Sequence, residues 1–175
     1  MMNRTGEDDA GQVLDGGYCY LVKEERLVLS LALFRSLSKD VQGLCISRIY
    51  PERLRERKDL TNARMIWLSH TPGPDRCSPN AISVLVKEIF NAIEKGEPVL
   101  LDGLEYLIVQ NGFNQTLHFI EQVNEFAMQR GGIVIVPLSP RAVEPKELAL
   151  LERNLEVVSD SISRKRSLSK LMERY

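Results

Sequence analysis

The stretch PVLLDGLEYLIVQNGF, residues 98–113, decides the fold. An apolar run from Pro98 to Leu101 leads directly into Asp102 and Gly103. Such a run is typical of a buried strand in a parallel sheet, because helices cover both faces of that sheet. Open α/β sheets place their sites at the carboxyl ends of their strands. The stretch therefore predicts an α/β sheet with Asp102 at the edge that carries function.

Strands and helices alternate on both sides of this stretch. Further strands are predicted over 18–22, 43–50, 63–69, 132–139 and 155–158, and helices over 23–40, a charged segment from 51, 78–93, 114–130 and 145–153. Residues 70–80, with three prolines, are predicted to be a turn-rich connection in which Ser78 and Pro79 open the next helix, and the stretch from Gly103 to Gly112 is predicted to be a loop. This alternation predicts a three-layer αβα domain around a mostly parallel central sheet of about six strands.

The length of 175 residues suits one domain with a full hydrophobic core. We predict a single α/β domain over 17–158, preceded by a flexible acidic tail over 1–16. Residues 159–175 are basic and rich in serine, and they are expected to form a C-terminal helix or tail. Two interpretations of that segment stay open: a frayed helix that lies on the domain, or a docking segment for a partner or a second copy.

The composition limits the classes of partner. The 23 basic and 24 acidic residues give a net charge of -1, so no overall field attracts nucleic acid or anionic lipid. No apolar run approaches the roughly 20 residues of a membrane-spanning helix. Three cysteines, an odd number without metal-ligand spacing, indicate reduced thiols and a cytoplasmic location. Nucleic-acid binding is therefore a weak alternative, confined to the basic segment RKRSLSK at 164–170.

The junction between the first strand and the first helix reads GGYCYLVKEERLVL, residues 16–29. A phosphate-binding loop of the form G-x-x-x-x-G-K-[ST], the Walker A motif, is absent there. Instead, Glu24 and Glu25 follow Lys23, and carboxylates suit the positive end of a helix dipole. They would take the place of a phosphate and would also repel one. The sequence therefore has no phosphate-binding loop at this junction, and we expect no cofactor.

Five residues are candidate ligand-binding or partner-binding positions: Arg48, His70, Asp102, Glu105 and Asn111. Asp102 and Glu105 could hold a ligand at the sheet edge. Alternatively, Asp102 caps a turn or accepts backbone N–H bonds from the loop that ends at Gly112.

Arg48 ends another predicted strand, close in sequence to Arg53, Arg55 and Arg57. These arginines could form an anion pocket. The glutamates between them favour a solvated helix face whose charges pair with one another.

Catalytic residues are not identifiable in the sequence. The two histidines are His70 and His118, and neither lies in a serine or cysteine nucleophile motif. A pair of His70 and Cys77 is geometrically possible, but it has no sequence signature. We therefore expect the chain not to be an enzyme and not to contain a metal site.

Six segments carry a family resemblance, and the most specific is VLLDGLEYLIVQNGF (99–113). The other five are GLCISRIYPERLRE (43–56), IWLSHTPG (66–73), SPNAISVLVKEIF (78–90), GGIVIVPLSP (131–140) and KELALLERNLEVV (146–158). They resemble the archaeal domain-of-unknown-function family 835, and the resemblance extends over roughly 17–158. It implies a degenerate RecA-like core whose phosphate loop has been lost. The strand that ends in Asp102 would stand where such ATPases hold their metal. His70 departs from the resemblance, since an arginine is expected at that position, and this departure argues against a proton-transfer role for His70.

Three functions remain as hypotheses. The first is a non-catalytic regulatory or scaffolding domain of archaeal signalling that contacts a protein partner, including its own copy in a homodimer. The alternative is a ligand-binding or nucleotide-binding sensor that uses the strand end at Asp102. The weakest is nucleic-acid binding through the basic C-terminal segment.

Overall fold

The computed structural model describes residues 14–57, 60 and 62–158 of the chain. The elements in chain order are β1 (Tyr18–Lys23), α1 (Leu29–Leu37), β2 (Gly43–Ser47), α2 (Pro51–Arg57), β3 (Ala63–Leu68), β4 (Arg76–Cys77), α3 (Ile82–Glu94), β5 (Val99–Leu101), α4 (Leu104–Asn111), α5 (Phe113–Arg130), β6 (Ile133–Leu138), α6 (Pro145–Asn154) and β7 (Glu156–Val157). Most of the predicted N-terminal tail and all of the predicted segment 159–175 lie outside the described residues.

The described strands form one seven-stranded sheet in the order β4-β3-β2-β5-β6-β1-β7, and every strand pair is parallel. The predicted α/β class is confirmed. The sheet has one strand more than expected, because β4 lies within the predicted loop that follows β3. Its two residues pair with Trp67 and Leu68, and a strand of two residues is too short to show a period of two.

Helices cover both faces of the sheet, as the three-layer prediction requires. Along β5, Val99 and Leu101 face the side of α3, α4, α5 and α6, whereas Leu100 faces the side of α1 and α2. All three side chains are fully buried. This burial on both faces explains why the strand reads as an uninterrupted apolar run. None of the described helices is both long enough and apolar enough to cross a membrane.

Two helices begin later than predicted. The first was expected from Lys23, but α1 begins at Leu29, and a loop separates it from β1. The third was expected to be capped by Ser78, but α3 begins at Ile82. The Ser78 hydroxyl instead accepts the backbone N–H of Asn80 at 3.3 Å, which is a local turn of the kind that serine favours.

Helix α4 is the largest departure from the sequence prediction, since Gly103 to Gly112 was expected to be a loop. The backbone of Gly103 has φ 126°, which lets the chain turn sharply from β5 into α4. Gly112, with φ 84°, then separates α4 from α5. The sequence interpretation took these glycines as signs of a loop, whereas each occupies a single junction between two regular elements.

Candidate functional site

A cleft of about 760 Å³ opens at the carboxyl ends of the four neighbouring strands β2, β5, β6 and β1. We call it the carboxyl-edge cleft. Its charged lining residues are Glu25, Arg48, Asp102 and Glu105, and the others are Leu27, Ile49, Gly103, Tyr106, Val109 and Ala142. This volume lies within the range of small-molecule sites, about 300 to 1,000 Å³. The fold therefore places a ligand-sized cleft at the edge that the sequence predicted.

Asp102 lies one residue beyond β5, and its carboxylate is held in place by β2. Its backbone N–H donates to the carbonyl oxygen of Ile46 at 2.8 Å. The hydroxyl of Ser47 donates to Oδ2 of Asp102 at 2.7 Å and accepts the backbone N–H of Ile49 at 3.0 Å. Ser47 is buried, so this hydrogen bond is shielded from water. The Asp102 carboxylate was expected to accept backbone N–H groups of the loop before Gly112. The hydroxyl of Ser47 on β2 holds it instead.

The carboxyl group of Asp102 is hard to ionise. Burial raises its pKa from 3.8 to about 6, because the charged form loses its hydration. The hydrogen bond from Ser47 lowers the pKa, whereas the nearby carboxylates of Glu105 and Glu24 raise it. Groups with shifted pKa values of this kind gather at functional sites, although structural clusters also produce them.

Glu105 belongs to the first turn of α4 and lines the same cleft. Its Oε2 atom is buried and has no hydrogen-bond partner among the described residues. Most buried polar atoms in proteins have a partner, so each exception calls for an explanation. A negative charge in the first turn suits the helix dipole, but that accounts for the position of Glu105 and not for its unsatisfied oxygen.

Arg48 and Tyr106 form one wall of the cleft. The guanidinium carbon of Arg48 lies 3.6 Å from the centre of the Tyr106 ring, within the range of a cation–π contact. The carbonyl oxygen of Arg48 accepts the indole N–H of Trp67 at 3.0 Å. Tyr106 was missed as a site residue, because only its place on α4 turns it toward Arg48.

Two of the five candidate residues lie outside the cleft lining. Nε2 of His70 is 3.0 Å from Oε1 of Gln110, and the imidazole ring meets the Tyr106 ring edge-on at 6.4 Å. Nδ2 of Asn111 donates to the carbonyl oxygens of Pro79 and Leu107, at 2.8 and 3.0 Å. Both side chains brace α4. The structure thus brings together Arg48, Asp102 and Glu105, but not His70 or Asn111.

Glu24 takes the place at the start of α1 that a phosphate would take. Its carboxylate accepts the backbone N–H groups of Val28, Leu29 and Ser30 at 3.3, 2.9 and 3.2 Å, and the Ser30 hydroxyl at 2.6 Å. Free N–H groups at a helix N-terminus form an anion site. The prediction that a carboxylate occupies this place is confirmed for Glu24. Glu25 instead accepts the hydroxyl of Ser139 at 2.9 Å and lines the cleft.

The arginines after β2 do not share one pocket. Arg48 lines the carboxyl-edge cleft, whereas Arg55 lines a separate cavity of about 150 Å³ beside Trp67 and Arg76. Within the described part of the chain, no group of three or more His, Cys, Asp or Glu residues could hold a metal ion.

A family model described as "Protein of unknown function (DUF835)" matches residues 23–155. The matched segment contains every residue that lines the carboxyl-edge cleft. No curated protein matches the chain.

Proposed function

Because the chain belongs to the DUF835 family, whose description assigns no function, we propose a function from the site itself. The domain is a non-catalytic regulatory module that binds a small organic ligand in the carboxyl-edge cleft. One observation carries the proposal: two acidic side chains, Asp102 and Glu105, line a ligand-sized cleft while one is hard to ionise and the other has an unpartnered oxygen. Both features cost folding free energy, and costs of this kind are typical of functional sites.

The contacts of the nucleophile candidates support a non-catalytic role. All three cysteines are free and buried. Burial raises the pKa of Cys19 and of Cys45 to about 12, and it also raises the pKa of Cys77, so their thiols stay protonated and unreactive. His70 contacts Gln110, which neither supplies a proton nor orients a nucleophile.

The proposal includes the degenerate RecA-like core that the family resemblance implies. The parallel sheet, the acid after β5 and the carboxylate of Glu24 at the start of α1 support a core that has lost its phosphate site. On this view the domain keeps the ligand-binding edge of such a core but not its nucleotide. We place its role in the regulation of a cytoplasmic process, in line with its reduced thiols.

A cleft-filling variant tests the proposal. Ala142 is exposed and lines the cleft, so Ala142→Trp should block it without disturbing the core. We expect small organic fragments to bind the wild type in ligand-observed NMR, and to lose about tenfold or more in affinity in the variant, the equivalent of about 1.4 kcal/mol. The library should include ATP, GTP and cyclic dinucleotides, with and without magnesium.

Ala149→Trp is the matched control for this experiment, because Ala149 is also exposed but lies on α6, outside the cleft. Fragments should bind this variant as they bind the wild type. If no compound distinguishes Ala142→Trp from Ala149→Trp, the cleft is not a ligand site.

Protein binding is the second candidate function, and the exposed apolar rim of the cleft favours it. The side chain of Val109 on α4 is 77% exposed, and that of Val28, beside Leu27 of the cleft lining, is 61% exposed. A second copy of the chain would cover this rim. Sedimentation equilibrium is the test: a dimer that dissociates in Val109→Glu supports the idea, and a wild type that stays monomeric at high concentration rejects it.

A further inference from the structure

The carboxyl-edge cleft has an excess of acidic groups. Three carboxyl groups, those of Glu25, Asp102 and Glu105, line it together with one guanidinium, that of Arg48. Arg48 stacks on Tyr106 and forms no ion pair with a carboxylate of the described residues. A cleft lined mostly by one sign of charge concentrates ligands of the opposite sign. The cleft therefore attracts cations.

The carboxylate of Glu105 indicates which kind of group the ligand carries. Oε2 is shielded from water and accepts no hydrogen bond among the described residues. A carboxylate is an acceptor only, so its missing partner is an N–H or O–H donor. A charged N–H donor makes the shorter and stronger bond to a carboxylate. An ammonium or guanidinium group meets this requirement and the negative potential at the same time.

The remaining walls of the cleft call for an apolar body on the ligand. Leu27, Ile49, Val109 and the ring of Tyr106 line the space beyond the carboxylates. Burial of apolar ligand atoms against these side chains is favourable, because it removes apolar surface from water. A bare metal ion or a fully polar polyamine would leave these side chains exposed to water.

On the basis of the proposed ligand-binding function, we infer that the ligand is an organic cation: a protonated amine or guanidinium group on an apolar body. Its N–H groups donate to the carboxylate groups of Glu105 and Asp102, which both line the cleft. Its body packs against Leu27 and Ile49. Ser47 holds Asp102 in the orientation that this contact needs.

The same charges argue against a phosphorylated ligand. The helix N-terminus nearest to β1, where a phosphate would bind, is filled by the carboxylate of Glu24. Among the lining residues, Arg48 is the single cation beside three carboxyl groups. A phosphate would bring further negative charge into this environment, and like charges in a site of low dielectric constant repel strongly.

Matched compounds that differ only in charge test the inference. One series is phenethylamine, 2-phenylethanol and 3-phenylpropanoate, and a second is hexylamine, hexanol and hexanoate. NMR titration of the full chain should show that the amines bind at least about tenfold more tightly than their hydroxyl and carboxylate counterparts. Affinity for the amines should fall as salt is added, because salt screens the attraction between charges.

Two glutamate variants locate the interaction. Glu105→Gln should weaken amine binding by about tenfold or more, since a charge-assisted hydrogen bond is replaced by a neutral one. Glu97→Gln is the matched control, because Glu97 lies at the opposite, amino-terminal edge of the sheet, and its binding should equal that of the wild type. Circular dichroism establishes that each variant is folded. If Glu105→Gln does not fold, the salt dependence of amine binding to the wild type remains an independent test.

Each outcome decides a different claim. If the hydroxyl or carboxylate compounds bind as well as the amines, the ligand is not a cation. The proposed ligand-binding function is still supported if Ala142→Trp abolishes that binding. If no amine binds, the inference is overturned as well, and the fragment experiment on Ala142→Trp and Ala149→Trp judges the proposed function separately. The inference is also rejected if amines bind tightly and their affinity changes neither in Glu105→Gln nor on addition of salt.

Discussion

Asp102→Asn is expected to raise the free energy of unfolding at neutral pH by about 2 to 3 kcal/mol, at about 1.4 kcal/mol for each unit of pKa shift. The pKa of Asp102 is raised from 3.8 to about 6, chiefly by burial. At neutral pH the folded protein therefore holds an ionised carboxylate that would be better solvated in the unfolded chain. Asparagine removes this charge, and its side-chain oxygen can still accept the hydroxyl of Ser47.

The pH dependence of this effect follows from the direction of the shift. Below pH 3.8 the Asp102 carboxyl group is protonated in both the folded and the unfolded state, so its burial then costs the wild type no stability. As the pH rises from 3.8 through about 6, the unfolded chain releases its proton first, so the wild type loses stability. Asp102→Asn should show no such loss over this interval. Burial sets most of this interval; the hydrogen bond from Ser47 narrows it, and the carboxylates of Glu105 and Glu24 widen it.

Urea unfolding across this range of pH measures the effect. Asp40→Asn, which removes an exposed carboxyl group after α1, is the matched control and should change stability by less than about 0.5 kcal/mol. A wild type and Asp102→Asn variant that lose stability in parallel would show that Asp102 is solvated. The argument from its buried charge to a binding role would then fail.

Gly103→Ala is expected to lower the free energy of unfolding by about 2 to 3 kcal/mol, from backbone strain of about 1 to 3 kcal/mol and an added close contact. The φ of 126° lies outside the left-handed helical region, so any Cβ is strained there. An added Cβ would also meet Cδ1 of Leu68 at 3.1 Å. Because Gly103 joins β5 to α4, relief of this strain would move Glu105 and Tyr106, and the cleft would change shape.

Gly96→Ala is the matched control for this substitution. Gly96 also has a positive φ, 75°, but a Cβ there would meet nothing within 4 Å. Its cost should be about 1 kcal/mol, the ordinary cost of the left-handed region for alanine. Thermal and urea unfolding of both variants give the comparison. Equal losses would mean that the turn at Gly103 adapts readily, and α4 would then be a mobile wall rather than a fixed one.

The main features of the fold could be predicted because they follow from burial. The strand before Asp102 is apolar at every position, since helices cover both faces of the sheet, and the alternation of strands and helices requires parallel crossovers. The carboxylate at the start of α1 was also predictable, because Glu24 follows a strand at the place where a phosphate loop would need glycine and lysine.

The wall of the cleft could not be predicted, because it depends on α4. Gly103 and Gly112 mark both loops and sharp junctions, and the apolar residues between them fit a short helix or an irregular segment equally well. Without α4, nothing in the sequence brings Tyr106 to Arg48 or leaves an oxygen of Glu105 unpartnered. Ser47 was missed for a related reason: its role depends on the register between β2 and β5.

The carboxylate of Glu24 acts as a tethered competitor at the start of α1. Only a few residues join it to the N–H groups that it contacts, so its effective concentration there is on the order of millimolar or more. A free phosphate would have to displace a group that cannot diffuse away. A nucleotide phosphate could bind this helix N-terminus only if the Glu24 carboxylate first moved away from the N–H groups.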